Sequence, residues 1–434
     1  MKISSLLLAL SISVIFIANI KAQESITANH DRIAARIKKL SEFGSNPQGG
    51  VSRLGFSEAD IQAREYIIEL MKQMGLSVSI DAGGNIIGWR KGKNNQLPVI
   101  LFGSHIDSVP MGGNYDGDVG VIGALECIDM LNQMDVQTNH PLEVVIFSDE
   151  EGGLTGSQVM TGILKADDLD RISNSGKTVR QGIKDIGGDP DNLKKAKRNK
   201  GDIAAFLELH IEQGAILDSK GLDIGVVEGI VGLEVWDITI KGKANHAGTT
   251  PMNLRQDAML SAAKLVVRIN EIIRSVKGTQ VGTVGKINTL PGASNVIPGE
   301  VVMSLEIRDL SREKMLGLLE QIKKEAKNIA KETGTQISFK SQQLDIYPAL
   351  ANKELQELIS LSAKELGYSS QYMPSFAGHD AQDLAKIAPM GMIFVPSKDG
   401  ISHSPKEFTS TKDIANGANV LLQTILKIDK GFKK

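Results

Sequence analysis

Histidines and carboxylates occur together in several short motifs that could bind metal ions. His105 and Asp107 lie in GSHIDSVP, directly after a predicted buried strand, and Asp116 follows eleven residues after His105. Further histidines in loop-like, polar surroundings are His210, His246, His379 and His403. Imidazole and carboxylate ligands without thiolates suit Zn²⁺, Mn²⁺ or a similar divalent ion. Two such clusters joined by a shared carboxylate would hold two ions about 3.5–4 Å apart.

The adjacent glutamates Glu150 and Glu151 occur in FSDEEGG, directly after the next predicted strand. Neighbouring side chains at a strand end point in different directions. One glutamate can therefore bind a metal while the other holds a water molecule as general base. Asp107 is expected to orient His105 rather than to bind metal itself. Each motif alone also fits a surface acidic pair or a locally hydrogen-bonded loop, so the prediction of a metal site depends on their combination.

The elements that must position these residues form a βαβ unit. Leu97–Phe102 and Leu142–Phe147 are continuous apolar runs, typical of strands buried on both faces, and a helix is predicted from Asp116 to about Met134. Open α/β sheets place their sites just beyond the strand ends, where the candidate residues fall. We therefore expect an α/β catalytic domain with a central, mostly parallel sheet.

A different pattern begins near Gly232, where apolar and polar residues alternate as in a strand with one wet face. The predicted elements that follow are a helix at 257–276, strands at 281–287 and 301–308, a helix at 313–331 and a strand at 336–339. This β-α-β-β-α-β order is typical of a ferredoxin-like domain. We expect a signal peptide at 1–22, the catalytic domain at 23–230 and 346–434, and an inserted smaller α+β domain at 231–345.

Arg308 shares the polar face of the strand at 301–308 with Ser304 and Glu306. A guanidinium group there offers a planar fork for a substrate carboxylate. The alternative is an arginine that forms a salt bridge on a solvated strand.

Composition limits the function further. The 434 residues predict two domains, and a formal charge of −2 with mixed signs excludes a general attraction to nucleic acid or anionic membranes. The single cysteine, Cys127, excludes an intramolecular disulfide and a Cys-rich metal site. Lys2, the apolar run Leu6–Ile20 and the small residue Ala22 form the pattern of a cleaved signal peptide. We therefore expect an exported protein without a stable membrane anchor.

Seven ordered motifs closely resemble the amidase, hydantoinase/carbamoylase family, a branch of the dinuclear metallopeptidase and aminoacylase superfamily. The motifs are GSHIDSVPMGGNYDGDVGVIGALE, FSDEEGG, LELHIEQGAILD, ANHAGTTPMNLRQDA, LPGASNVIPGEV, SFAGHDAQDLA and ISHSPKE. That family contains N-carbamoyl-L-amino-acid hydrolases, allantoate and ureidoglycolate amidohydrolases and β-ureidopropionases. The resemblance extends from about Arg32 to the C-terminus.

The resemblance implies a role for each motif. Two divalent ions are implied, with Zn²⁺ as the first expectation and Mn²⁺ as the second. Their implied ligands are His105, Asp116, Glu151, His210 and His403, with Asp116 bridging the two ions. Glu150 would be the general base and later the proton donor. The inserted domain would act as a lid and join two subunits, and His246, in some relatives supplied by the partner subunit, would stabilise the oxyanion. The implied substrate-binding residues are Gln213, His246, Asn295, Arg308, Gly378 and His379, although His379 also fits a helix N-cap.

The sequence thus predicts a homodimeric metal-dependent hydrolase that cleaves linear amide or ureido C–N bonds in small carboxylate-bearing substrates, such as N-carbamoyl-L-amino acids or allantoate. Two alternatives stay open at this point. One is an exported dipeptidase or aminoacylase of the same superfamily, and the other is a catalytically silent binding protein that uses the same cleft. The presence of Glu150 argues against the silent protein, because a binding protein needs no general base.

Overall fold

The computed structural model describes residues 27–344 and 346–431. The predicted signal peptide at 1–22 lies outside these residues. Within the described ranges, the helices are all too short or too polar to cross a lipid bilayer.

The described residues form eleven α-helices and sixteen β-strands. The α-helices are α1 (His30–Leu40), α2 (Glu58–Gln73), α3 (Asp118–Gln133), α4 (Thr155–Thr161), α5 (Val179–Asp185), α6 (Ile216–Lys220), α7 (Ala258–Ser275), α8 (Arg312–Thr333), α9 (Lys353–Glu365), α10 (Asp380–Leu384) and α11 (Thr411–Gly431). The strands are β1 (Ser77–Ile80), β2 (Ile86–Arg90), β3 (Val99–His105), β4 (Leu142–Phe147), β5 (Ile203–Ile211), β6 (Ile224–Ile230), β7 (Gly232–Lys241), β8 (Asn245–His246), β9 (Val281–Thr283), β10 (Ile287–Leu290), β11 (Val296–Ile297), β12 (Glu300–Asp309), β13 (Gln336–Ser341), β14 (Ala349–Leu350), β15 (Ser370–Ser375) and β16 (Met390–Val395).

The larger sheet has nine strands and is parallel at its centre. Its order is β1-β2-β4-β3-β5-β16-β6-β14, and β15 pairs with β6 beside this path. The four central strands β4, β3, β5 and β16 run in the same direction, whereas β1, β2 and β14 pair antiparallel. The expected mostly parallel sheet is therefore a mixed one. Strands joined by helical crossovers can run parallel, whereas the hairpin of β1 and β2 must be antiparallel.

Helices cover both faces of this sheet, which explains why its central strands are buried along almost their whole length. In β3, Ile100 and Phe102 belong to the core formed with α1, α2, α3, α9 and α11. Leu101, between them, belongs to a second core on the opposite face, with Phe147 and Phe206. Successive side chains of a strand point to opposite faces, so both faces need apolar cover.

Residues 232–341 contain a second, five-stranded sheet in the order β10-β12-β7-β13, with β9 also paired to β12. All of its pairings are antiparallel. One face packs against α7 and α8 through a separate hydrophobic core that includes Trp236, Leu265, Leu305 and Ile322. The chain leaves the larger sheet after β6 and returns as β14, where Ala349 lies opposite Ile230.

Two local features differ from the prediction. The single strand predicted at 281–287 is wrong, because β9 and β10 are separate strands with Gly285 between them. A glycine inside a strand weakens it and favours a break. The strands β6 and β15 were not predicted at all.

Candidate metal centre

The candidate ligands meet at the carboxyl edge of the central parallel strands. His105 is the last residue of β3, and Glu150 and Glu151 follow the end of β4. His210 is the penultimate residue of β5. Asp116 lies in the loop before α3, and His403 lies in the loop between β16 and α11. Parallel strands end at the same edge of a sheet, so residues far apart in the sequence come together there.

Two groups of ligand atoms share Asp116. The first group joins Asp116 to His105 and His210, and the second joins it to Glu151 and His403. Asp116 Oδ1 lies 3.1 Å from His210 Nε2 and 3.9 Å from His105 Nε2. Asp116 Oδ2 lies 3.1 Å from His403 Nε2, and that nitrogen lies 3.5 Å from Glu151 Oε1. One carboxylate with an oxygen facing each group is the geometry of a bridging ligand.

The residues present fit a pair of divalent cations. Glu151 Oε1 and His210 Nε2 are buried and have no hydrogen-bond partner among the described residues. Buried polar atoms are normally satisfied, and these two both face the shared Asp116. Burial lowers the pKa of His105 to about 4, so its imidazole is neutral at pH 7, the form that binds a cation. Three imidazoles and two carboxylates suit Zn²⁺ or Mn²⁺ equally.

Backbone carbonyl groups fix the orientation of two of the imidazoles. His105 Nδ1 lies 3.0 Å from the Asp107 carbonyl oxygen, and His210 Nδ1 lies 3.0 Å from the Ile211 carbonyl oxygen. In a neutral ring, an Nδ1–H that donates to the carbonyl leaves Nε2 without a proton and able to bind a cation. Glycine at position 117 makes room for the first ring. A Cβ atom there would lie 2.5 Å from His105 Cε1, and the backbone φ of Gly117 is +68°.

Asp107 acts on the glutamate pair more directly than on His105. Its Oδ1 accepts a hydrogen bond from the Glu150 N–H and its Oδ2 from the Glu151 N–H, both at 3.1 Å. The same carboxylate lies 3.7 Å from His105 Nδ1, too far for a hydrogen bond. Asp107 therefore contacts His105 through its carbonyl group, whereas its carboxylate fixes the backbone that presents both glutamates.

Glu150 is buried among other acids. Burial, followed by the charges of Asp380 and Glu151, raises the pKa of Glu150 well above its ordinary value. Its Oε2 lies 3.9 Å from His105 Nε2, at the edge of the first ligand group. A carboxylate with a raised pKa beside a cation site can take a proton from water and return it during turnover.

A cavity of about 500 Å³ contains the ligands and most of the predicted substrate-binding residues. Gln213, Arg308, Gly378 and His379 line it together with Glu150. Arg308 reaches it from β12, the second sheet, and its Nη1 donates to the Phe376 carbonyl oxygen at 2.9 Å. A basic group and a buried carboxyl group thus face the same cavity.

His246 and Asn295 are not brought into this cavity by the single chain. Both are exposed and absent from its lining. They lie near each other, because β8 pairs with β11 and the Ala247 N–H donates to the Asn295 carbonyl oxygen at 2.9 Å. Their predicted contacts with the substrate therefore stay predictions.

Three buried acidic residues near the site were not predicted as site residues. Asp380 is fully buried, and neither of its carboxylate oxygens has a hydrogen-bond partner among the described residues. Glu208 accepts from Ser104 Oγ at 2.7 Å, and Glu407 contacts two ligand loops. Asp380 follows His379, which was also considered as an N-cap. His379 does stand at that position of α10, but its side chain does not cap the helix, and its Nε2 lies 2.9 Å from Ser375 Oγ.

Comparison with known proteins places the chain among metallohydrolases. The profile of peptidase family M20/M25/M40 matches residues 101–427. An N-carbamoyl-L-amino acid amidohydrolase of Geobacillus stearothermophilus is 41% identical over 406 residues, which cover 92% of this chain and 99% of that protein. An allantoate amidohydrolase of Escherichia coli is 34% identical, with 91% and 97% of the two chains covered.

The solved structures agree with the sequence comparison. The crystal structure of a hydantoinase/carbamoylase family amidase from Burkholderia multivorans superimposes with a TM-score of 0.86 and 34% identity, covering 93% of this chain and 98% of that one. This similarity confirms the resemblance predicted from the seven motifs.

Proposed function

The chain belongs to peptidase family M20/M25/M40 and, within it, to the hydantoinase/carbamoylase amidases, and we propose that it hydrolyses the linear ureido bond of N-carbamoyl-L-amino acids. One observation carries the proposal. A single cavity joins two ligand groups that share Asp116, the buried carboxyl group of Glu150 and the guanidinium group of Arg308. Bond hydrolysis needs the first two, and recognition of a substrate carboxylate needs the third.

The residues divide the work as follows. The two groups around Asp116 would hold two divalent cations, which when bound would polarise the scissile carbonyl group and lower the pKa of the attacking water. Glu150 takes the proton of that water and delivers it to the leaving nitrogen. Arg308 binds the substrate carboxylate with its fork, and Gly378 and His379 line the cavity beside it. His246 offsets the charge that develops on the carbonyl oxygen.

A wider cavity of about 1120 Å³ opens from the same site and favours substrates with apolar side chains. It shares Leu154, Arg308 and Phe376 with the smaller cavity. Its apolar lining includes Leu154, Val231, Leu233, Ile346, Tyr347, Pro348, Leu350 and Phe376, and its charged lining includes Lys165, Asp168 and Arg171. An amino-acid side chain next to a carboxylate held by Arg308 can extend into this space. Allantoate carries no apolar group that would use it.

A substrate panel tests this function. We expect the metal-loaded protein to hydrolyse N-carbamoyl-L-leucine and N-carbamoyl-L-phenylalanine with higher kcat/KM than N-carbamoylglycine, allantoate or ureidoglycolate. The D-enantiomers, N-acetyl amino acids and dipeptides are the controls for stereochemistry and for the aminoacylase and dipeptidase alternatives. Preferred hydrolysis of a dipeptide would contradict the proposal, and the absence of any hydrolysis would support the silent binding protein.

We propose that the subunits form a homodimer through the second sheet and that His246 acts in the partner's active site. This would reconcile its exposed position with its proposed role. Because a mixed dimer of His246→Ala and Glu150→Gln subunits would contain one complete site, equal mixing of these inactive variants should restore about a quarter of the wild-type activity. If His246 acts within its own subunit, mixing will restore nothing. Sedimentation should show the dimer in both variants.

Export of the protein is proposed from Lys2 and the apolar run Leu6–Ile20. Protein recovered from its native host is expected to begin near Gln23 when sequenced from its N-terminus. An intact Met1 in the cytosolic fraction would contradict the proposal.

A further inference from the structure

Glu407 joins the two loops that carry Asp116 and His403. It lies between β16 and α11 and is 4% exposed. Its Oε1 accepts hydrogen bonds from the N–H groups of Tyr115 and Asp116 at 2.9 and 3.0 Å. Its Oε2 accepts from Ser402 Oγ at 2.9 Å and from the His403 N–H at 3.3 Å. One carboxylate therefore receives four donors from two loops that lie far apart in the sequence.

The loops around Glu407 are in tight contact. A Cβ atom on Gly113 would lie 2.0 Å from Glu407 Oε1. A Cβ atom on Gly50 would lie 2.1 Å from the Gly112 carbonyl oxygen and 2.9 Å from Pro405 Cα. Glycine at these two positions lets the backbones approach closely enough for the carboxylate to reach both loops. Unlike an ordinary surface acid, Glu407 is therefore buried between two closely packed loops and contacts both of them.

We propose that Glu407 is a positioning residue that sets the separation of Asp116 and His403 and so controls the cation affinity of the group formed by Asp116, Glu151 and His403. This inference rests on the proposed two-cation centre. The effect should be larger at this group than at the other, because only Asp116 is shared, whereas His105 and His210 belong to β3 and β5, whose pairings hold them in place. His403 lies in a loop and depends on side-chain contacts for its position.

Calorimetric titration of the metal-free protein with Zn²⁺ tests the proposal. Glu407→Gln keeps the size of the side chain, but its amide nitrogen cannot accept the two hydrogen bonds of the oxygen that it replaces. We expect one of the two cation equivalents to bind about 10- to 100-fold more weakly, as is usual when a group that orients a ligand is lost. The other equivalent shares only Asp116 with this group and should weaken by a clearly smaller factor.

Glu126→Gln is the matched control. Glu126 is also fully buried and also joins two segments, since it accepts from the Asn29 N–H at 2.7 Å and from Arg32 Nε at 2.8 Å. The same chemical change there should lower the thermal unfolding temperature and leave both cation affinities unchanged. This comparison separates loss of stability from loss of ligand positioning.

A second variant covers the case in which Glu407→Gln does not fold. Glu407→Asp keeps the charge but is one methylene shorter, so it cannot contact both loops as closely and should weaken the same equivalent by a smaller factor. Wild-type affinity for both equivalents in folded Glu407→Gln, or in Glu407→Asp when only that variant folds, would overturn the proposal, as would equal weakening of both equivalents. If the wild-type protein binds fewer than two equivalents, the proposed two-cation centre fails, and that result is distinct from any result of the variants.

Discussion

Replacement of Glu150 by glutamine is expected to lower kcat by about 10²- to 10⁴-fold while the protein still binds two cations. Glutamine has the same shape but cannot take a proton from water. The neighbouring Glu151→Gln variant is the matched control, because it makes the same chemical change one residue away. Glu151 Oε1 faces His403 Nε2 at 3.5 Å, so this variant should lose or weaken one cation equivalent.

Metal analysis and calorimetry on both variants decide the division of work between the two glutamates. The assignment predicts full metal content in Glu150→Gln and reduced content in Glu151→Gln. Equal metal loss in both variants would contradict it. Both backbone N–H groups are held by Asp107, so neither substitution should disturb the other side chain through the main chain.

Replacement of Arg308 by alanine is expected to raise KM strongly with a smaller effect on kcat. Binding of the substrate carboxylate exists in both the ground state and the transition state, so its loss appears mainly in KM. Truncation of one partner of a hydrogen-bonded charge pair commonly costs about 2–5 kcal/mol, that is, about 30- to 4000-fold. The Arg308 side chain is 34% exposed, which places the expected effect in the lower part of that range. Arg308→Lys should be impaired less, because it keeps the charge and loses the fork.

The structure also shows the alternative role of Arg308, since its Nε donates to Glu306 Oε1 at 2.7 Å. Arg198 provides a matched control, because its Nη2 lies 2.9 Å from Glu143 Oε2 and its side chain is 29% exposed. Loss of a partly exposed ion pair such as that of Arg308 with Glu306 costs about 0–1 kcal/mol. The assay should compare an N-carbamoyl amino acid with its neutral amide analogue. If Arg308→Ala prefers the carboxylate as strongly as the wild-type and Arg198→Ala proteins do, Arg308 is not its binding partner.

Much of the site could be predicted because its ligands directly follow apolar strands. His105 ends β3 and Glu150 follows β4, so a local pattern in the sequence marks each of them. The antiparallel strands β6 and β14 were not predicted, because a short apolar run does not show the direction of a strand. The predicted roles of the individual ligands stay predictions until metal binding is measured.

The residues that were missed act through contacts over long sequence distances. Glu407 bonds to the backbone of Asp116, 291 positions earlier in the chain, and no local pattern encodes such a contact. Asp380 and Glu208 had the appropriate residue types, but their complete burial depends on how α10 packs near β5. Their carboxyl groups could have been noticed from their proximity to His379 and His210 in the sequence.

The antiparallel pairing of β14 with β6 explains how the larger sheet accommodates so long an insertion. Because Ala349 lies opposite Ile230, the two ends of the intervening segment meet side by side. The entropy lost in closing a chain segment grows only with the logarithm of its length, so a long insertion costs the host sheet little more than a short one. The inserted segment also has its own hydrophobic core, whose burial offsets the conformational entropy that the segment loses on folding. The enzyme could therefore gain Arg308 from a second sheet without altering the strands that carry its metal ligands.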